Sequence, residues 1–160
     1  MPYIIDGHNL IPKIPGLSLK DLDDEQELVN LLQEYCRLIR KQAEVYFDKS
    51  PPGQPRARNF GNVIARYIRE SSSADEAIKM KLYRLGGSAR NWTVVSSDRQ
   101  VQAAARSAHA RIIPSEEFAQ MVINKLSQAD KGTKEATDPQ ISEEELEDWL
   151  NLFGGEEQEN

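Results

Sequence analysis

The sequence has little that would tie it to an oxidising compartment or to a membrane. Cys36 is the one cysteine among 160 residues, which excludes an internal disulfide and fits a reducing compartment. It falls in a helical pattern, where a buried structural thiol is the expected role. No apolar run approaches the roughly 20 residues that span a bilayer. The opening Met1-Pro2-Tyr3-Ile4-Ile5-Asp6 has no basic n-region and only a short apolar stretch, which argues against a secretory signal. The expectation is a cytoplasmic protein with no membrane partner. The two histidines, His8 and His109, stand far apart without cysteine companions, so the spacing of a zinc site is missing. There is no Walker-type phosphate loop, and Gly86-Gly87 reads as a helix stop. Ser96 and Ser97 have no base near them in sequence, which gives nucleophilic serine chemistry no support.

What is present is unevenly distributed. The net charge of −6 taken as a sum disfavours a nucleic-acid partner, but residues 115–160 carry −10 and residues 1–114 carry +4. A mildly basic body permits phosphate binding, and the acidity belongs to the tail.

Strand and helix patterns alternate along that body. Pro2–Asp6 is a short apolar strand that stops at Asp-Gly. Leu28, Leu31, Leu32, Tyr35, Cys36 and Ile39 share one face of a helix over about 25–41. Ala43–Asp48 is a second strand, again ending in aspartate. Ser50–Phe60, with three prolines, a glycine and two arginines, reads as a loop, and Gly61–Ile68 as a third strand. Ser71–Ser73 supply N-caps for a helix from Ala74 to Leu85. Trp92–Ser97 is a β-branched strand running into Asp98. A helix over 99–108, a short strand over 110–113 and a helix over about 115–126 complete the series. This alternation with short connections predicts an open α/β fold with a mainly parallel sheet flanked by helices. Residues 127–141 turn polar and read as a linker. Beyond it, Ser142 and Glu145 form a capping box, and Leu146, Trp149, Leu150 and Phe153 share a face, predicting an acidic amphipathic C-terminal helix within 142–160. Two roles stay open for that helix: docking on the sheet's flank, or binding a partner protein as a helix in a groove.

The aspartates carry the functional information. Asp6 ends the first strand, Asp48 the second, Asp98 follows a later one, and Asp75, beside Glu76, sits in the first turn of the helix after the third strand. In open parallel sheets the crevice beyond the strands' carboxyl ends is the natural ligand site. Carboxylates gathered there raise one another's pKa unless they share a cation. Mg²⁺ or Mn²⁺ suits such oxygen ligands and can promote phosphodiester hydrolysis. Taken singly, each aspartate also reads as a turn opener or helix cap, Asp98 in particular for the helix that follows it. Arg56, Arg58, Arg66, Arg69, Arg90 and Arg99 are candidates to line an RNA groove. Arg56 and Arg58, in the proline-rich loop beside Asp48, are the best placed. His8, in the Asp-Gly-His-Asn turn, joins Arg56, Arg58 and Arg99 as a substrate-contact candidate. Tyr46, Tyr67 and Trp92 lie in strands and are assigned to the core.

An N-terminal strand running into Asp6-Gly7-His8-Asn9-Leu10 resembles the opening motif of NYN domains, specifically the bacterial YacP-like family. The resemblance continues through Phe47-Asp48, Ser73-Ala74-Asp75-Glu76-Ala77-Ile78 and Val94-Val95-Ser96-Ser97-Asp98, and covers about residues 1–126. It implies a PIN-like three-layer fold and a Mg²⁺- or Mn²⁺-dependent endoribonuclease. The family includes a ribosome-associated enzyme that cuts messenger RNA during translation, so RNA and the ribosome are the implied partners. Carried over, Asp6, Asp75 and Asp98 would be the core metal-binding carboxylates, Asp48 a neighbouring acid in the same metal set, and Asn9 the amide that orients a ligand or metal-bound water. His8 stands where the family often has tyrosine, and Lys49 where a small residue is common. The alternative is a non-catalytic adaptor of the same fold that binds RNA or the ribosome without cutting.

Overall fold

The computed structural model of the chain describes residues 1–17, 23–50, 53, 55–69 and 71–137, with side chains described to residue 129. The segment 142–160, read as an acidic helix and tail, lies outside the described residues. The elements are β1 (Tyr3–Asp6), α1 (Gly7–Leu10), a 3-10 turn (Ile11–Lys13), α2 (Asp24–Ile39), β2 (Ala43–Ser50), β3 (Ala57–Phe60) and β4 (Val63–Arg69). They continue with α3 (Ala74–Leu85), a second 3-10 segment (Gly86–Asn91), β5 (Thr93–Val95), α4 (Arg99–Ser107), β6 (Arg111–Ile113) and α5 (Ser115–Thr137). The six strands form one sheet in the order β3-β4-β2-β1-β5-β6. Every pairing is parallel except that of β3 with β4.

Chain direction decides the layers. The crossover from β1 through α2 to β2 runs one way across the sheet, and the crossover from β4 through α3 to β5 runs the other. Right-handed connections therefore place α2 and α3 on opposite faces. The cores follow that division: Leu28, Leu32 and Tyr35 of α2 join Phe118 and Val122 of α5 in one, and Ile78 of α3 joins Val101 and Ala105 of α4 in the other. Strand residues alternate between them. Tyr3 and Ile5 enter the first core and Ile4 the second; Val45 and Phe47 enter the first and Tyr46 the second. Continued by one residue, the period of two puts Asp6 and Asp48 on the α3–α4 side of the sheet. Large side chains such as Phe47, Phe118, Ile4 and Ile5 are fully buried, each contributing about 1.5–3 kcal/mol. Cys36 is buried among them, and burial pushes its thiol up to about 11, in keeping with a structural role.

Three parts of the sequence reading change. The stretch 50–60 is not all loop, because Ala57–Phe60 pairs antiparallel with β4; Arg58 therefore lies on an edge strand. The turn after Asp6 is helical rather than open. The last helix does not stop near Leu126 but runs to Thr137, through most of the stretch read as linker. Among the described residues, no helix is long and apolar enough to cross a membrane.

Candidate metal and active site

Four elements bring the four aspartates to one end of the α3–α4 face. β1 delivers Asp6 at its carboxyl end, and the chain then turns at once into α1. Only glycine fits at the next position: a Cβ on Gly7 would come within 2.5 Å of the Phe47 ring and 2.8 Å of the Tyr46 carbonyl oxygen. The Asp-Gly pair is thus a close approach of α1 to β2 that leaves the preceding carboxylate at the strand end.

Asp6 is the electrostatic centre of the group. Its Oδ2 accepts a hydrogen bond from Ser96 Oγ at 3.1 Å. Burial pushes its carboxyl up to about 6; the Ser96 bond opposes that rise, and the charges of Asp48, Asp98 and Asp75 add to it. The other three carboxylates therefore act on Asp6 from nearby.

Two of the other three accept from backbone amides at helix starts. Asp98 caps α4, accepting from Gln100 N–H at 2.8 Å and Val101 N–H at 3.3 Å, so the capping role open to it in the sequence is one it performs. Asp48 accepts at Oδ1 from the N–H of Ala74, the first residue of α3. Asp75, the next residue, has its Oδ2 3.6 Å from Lys79 Nζ, while its Oδ1 is buried without a hydrogen-bond partner. A buried carboxylate oxygen with no donor is costly, and a cation is the kind of group that would satisfy it.

Ser96 and Ser97, which the sequence reading set aside, build the frame together with Asn9, whose amide oxygen serves the backbone and Ser115. Ser96, fully buried, donates to Asp6 and accepts from the Asp98 N–H at 3.0 Å, so one hydroxyl spans two of the acids. Asn9 Oδ1 accepts from Ser97 N–H at 2.8 Å and Ser115 Oγ at 2.6 Å. It ties α1 to the β5–α4 loop and to the start of α5. Ser97 Oγ donates to Glu116 Oε1 at 2.6 Å and accepts from Ser115 N–H at 2.9 Å. The hydroxyl run Ser96-Ser97 directly before a capping aspartate was the available signal. What it lacked in sequence was a base, and the structure uses it for hydrogen-bond support instead.

The basic candidates divide. Arg56, Arg58 and Arg99 are exposed; Arg58 lies over the Phe60 ring at 5.6 Å, and Arg99 follows Asp98 directly at the start of α4. Arg66 is committed to Glu44, Nε to Oε1 at 2.9 Å. His8 Nε2 lies 2.6 Å from Glu25 Oε2, and its ring packs 5.5 Å from that of Phe47. Tyr46 and Tyr67 are core residues, whereas Trp92 is half-buried. An open groove of about 590 Å³ between α3 and α4, lined by Tyr83, Gly87, Arg90, Ala108 and His109 among others, contains none of the aspartates.

Among the described residues no three acidic, histidine or cysteine side chains stand close enough to form a finished metal cage. The donor set fits a hydrated hard cation better than a fully protein-ligated one: all oxygen, one orphaned, and gathered around a carboxyl whose proton is retained to about pH 6.

Comparison with known proteins gives the same fold. The family model of the YacP-like NYN domain matches residues 3–153. The crystal structure of Rae1 (YacP) from Bacillus subtilis superposes with a TM-score of 0.63 at 23% identity, over 95% of this chain and 94% of that one. A point mutant of the same protein superposes with a TM-score of 0.69 at 22% identity, over 95% and 91%. Among curated proteins none matches the chain at a significant level.

Proposed function

We propose that this chain, which belongs to the YacP-like NYN domain family, is an endoribonuclease that hydrolyses RNA phosphodiester bonds with Mg²⁺ or Mn²⁺. The α/β fold is PIN-like and nuclease-type. The observation that supports the reading is the placement of Asp6 beside Asp48, Asp75 and Asp98, whose charges add to the rise of the Asp6 carboxyl that burial begins. Asp6, Asp75 and Asp98 would hold the ion. When bound, it supplies activation of water and neutralisation of charge on the phosphate. The chain's own residues do the rest. Ser96 holds Asp6 Oδ2 and the Asp98 backbone at a set separation, which would keep both residues available to the ion. Asn9 keeps the Ser97–Asp98 turn against α1. Asp6 must shed its proton before it can bind a cation, which makes metal binding weaken below about pH 6. Exposed Arg56, Arg58 and Arg99 supply positive charge for the phosphate backbone. RNA, messenger RNA in particular, is the substrate class, and the ribosome is the setting that the family resemblance suggests.

The test is a titration of Mn²⁺ and of Mg²⁺ into the wild type and Asp98→Asn, with thermal stability and cleavage of an end-labelled RNA followed together. Metal-dependent stabilisation and cutting in the wild type, both lost in the variant, are the expected result. No response to either metal would leave an RNA- or ribosome-binding adaptor as the better reading.

A further inference from the structure

We propose that Asp48 is a positioning residue that ties the first turn of α3, and with it Asp75, to the end of β2, and that it is not itself a ligand of the metal; this rests on the nuclease reading above. The argument begins in the ladder between β2 and β4. Pairing runs in step to Phe47 with Tyr67 and resumes at Ser50 with Arg69, so β2 advances three residues while β4 advances two. The extra residue is a bulge at Asp48-Lys49, where Lys49 adopts a left-handed backbone with φ 55. A bulge bends its strand and re-aims a side chain. Here the re-aimed group is Asp48, whose Oδ1 reaches the Ala74 N–H.

That amide is one of the four at a helix start that have no partner within the helix. Ser73 Oγ already satisfies another, accepting from Glu76 N–H at 3.1 Å. A local cap of this kind is enough to begin a helix. The bond from Asp48 spans 26 residues of sequence and does something the local cap cannot, which is to fix where α3 begins relative to the sheet. Ala74 is buried, so the clamp lies inside the structure, and the next side chain is Asp75. Asp75 Oδ1 is buried with no hydrogen-bond partner of its own. Its other oxygen lies 3.6 Å from Lys79 Nζ one turn along the same helix, so where Asp75 stands relative to the sheet follows from where α3 begins, which Asp48 fixes. At the bulge that aims Asp48 a left-handed backbone favours glycine, and this chain carries lysine there.

Two substitutions separate positioning from ligation. Asp48→Asn keeps an oxygen that can accept from Ala74 N–H, whereas Asp48→Ala removes it. The expected result for Asp48→Asn is a Mn²⁺ midpoint, read by thermal shift, within about threefold of wild type. Cleavage should fall far less than in Asp6→Asn, and the Ala74 amide should stay protected from hydrogen exchange in the metal-free protein. Asp48→Ala should lose that protection and weaken Mn²⁺ binding by about 10-fold or more, with kcat falling more than KM. Loss of Mn²⁺ binding in Asp48→Asn as complete as in Asp6→Asn would make Asp48 a ligand and overturn the proposal. So would an Asp48→Ala protein that keeps full Mn²⁺ affinity after losing Ala74 protection. If the wild type neither binds Mn²⁺ nor cuts RNA, the nuclease reading fails instead. Ala74 exchange in the two variants then still judges the clamp: equal protection in both would overturn it.

Discussion

Glu44 and Asp48 project from β2 toward the same side of the sheet, four residues apart, and their surroundings differ in kind. Glu44 is buried and accepts from Arg66 Nε at 2.9 Å and from Tyr46 Oη at 3.0 Å, with Lys81 Nζ 3.1 Å from its second oxygen. Burial works to raise its carboxyl, but the bonds from Arg66 and Lys81, the Arg66 charge and the Tyr46 bond overcome it and hold the group below the usual carboxylate range. Lys81 in turn lies 4.8 Å from the centre of the Trp92 ring. At the strand ends the arrangement inverts. Asp6 is held high by burial and by three neighbouring carboxylates, with the Ser96 bond opposing, and the cation at hand is Lys79 beside Asp75. One acid is neutralised by the protein's own cations; another is held high by burial among its like. The first arrangement is structural, and the second is the kind on which the proposed nuclease reading rests.

The contrast can be broken most severely at Asp6. Asp6→Asn should lower RNA cleavage by about 10³-fold or more and yet raise the melting temperature of the metal-free protein at pH 7 by about 3–6 °C. The sign follows from the folded pKa of about 6 against an ordinary 3.8. The native state takes up a proton that the unfolded chain does not, so Asp6 adds stability at acid pH that is lost as pH rises through about 6. The gap in melting temperature between variant and wild type should therefore narrow as pH falls from 7 to 4. A variant less stable than wild type at pH 7 would contradict the stored repulsion.

Glu44→Gln attacks the other side of the comparison. It leaves Arg66 and Lys81 without their counter-charge and should cost about 1–2 kcal/mol, read as a fall of about 3–6 °C in melting temperature. The Mn²⁺ midpoint should not move. A shift in metal affinity would mean that the two groups of acids are coupled.

The smallest effect belongs to Lys49→Gly, which relieves the left-handed strain at the bulge and should stabilise the protein by about 0.5–1 kcal/mol in a denaturant melt, with cleavage unchanged. Destabilisation would show that the Lys49 side chain contributes more than its backbone costs.

Much of the frame was legible from pattern alone. The helix over Ala74–Leu85 has its Ser73 cap and Gly86 stop where local chemistry puts them, and β1, β2, β5 and α4 appear near their expected bounds because burial on a parallel sheet demands continuous apolar runs. β3 was not legible. Ala57, Arg58 and Asn59 are exposed, show no alternation, and become a strand through pairing with β4. The reach of α5 past Leu126 was equally hidden, since its sequence turns polar there.

The same division holds at the site. β2 runs two residues past Asp48, to Ser50, through the bulge, and Asp98 caps α4 three residues beyond β5. That Asp6 and Asp48 stand near strand ends and Asp75 and Asp98 at helix starts is a matter of local order along the chain, and the period of two in β1 and β2 sends Asp6 and Asp48 to one face. Which of them is clamped, bridged or left with an open oxygen is not local. Asp48 meets Ala74 across 26 residues, Ser96 meets Asp6 across 90, and Asn9 meets Ser115 across 106. Sequence pattern determines where a carboxylate sits on its own element, because that depends on backbone geometry and burial. Only the tertiary structure decides what each carboxylate does, because hydrogen-bond partners and shared charge depend on which distant segments the sheet order brings within about 3 Å.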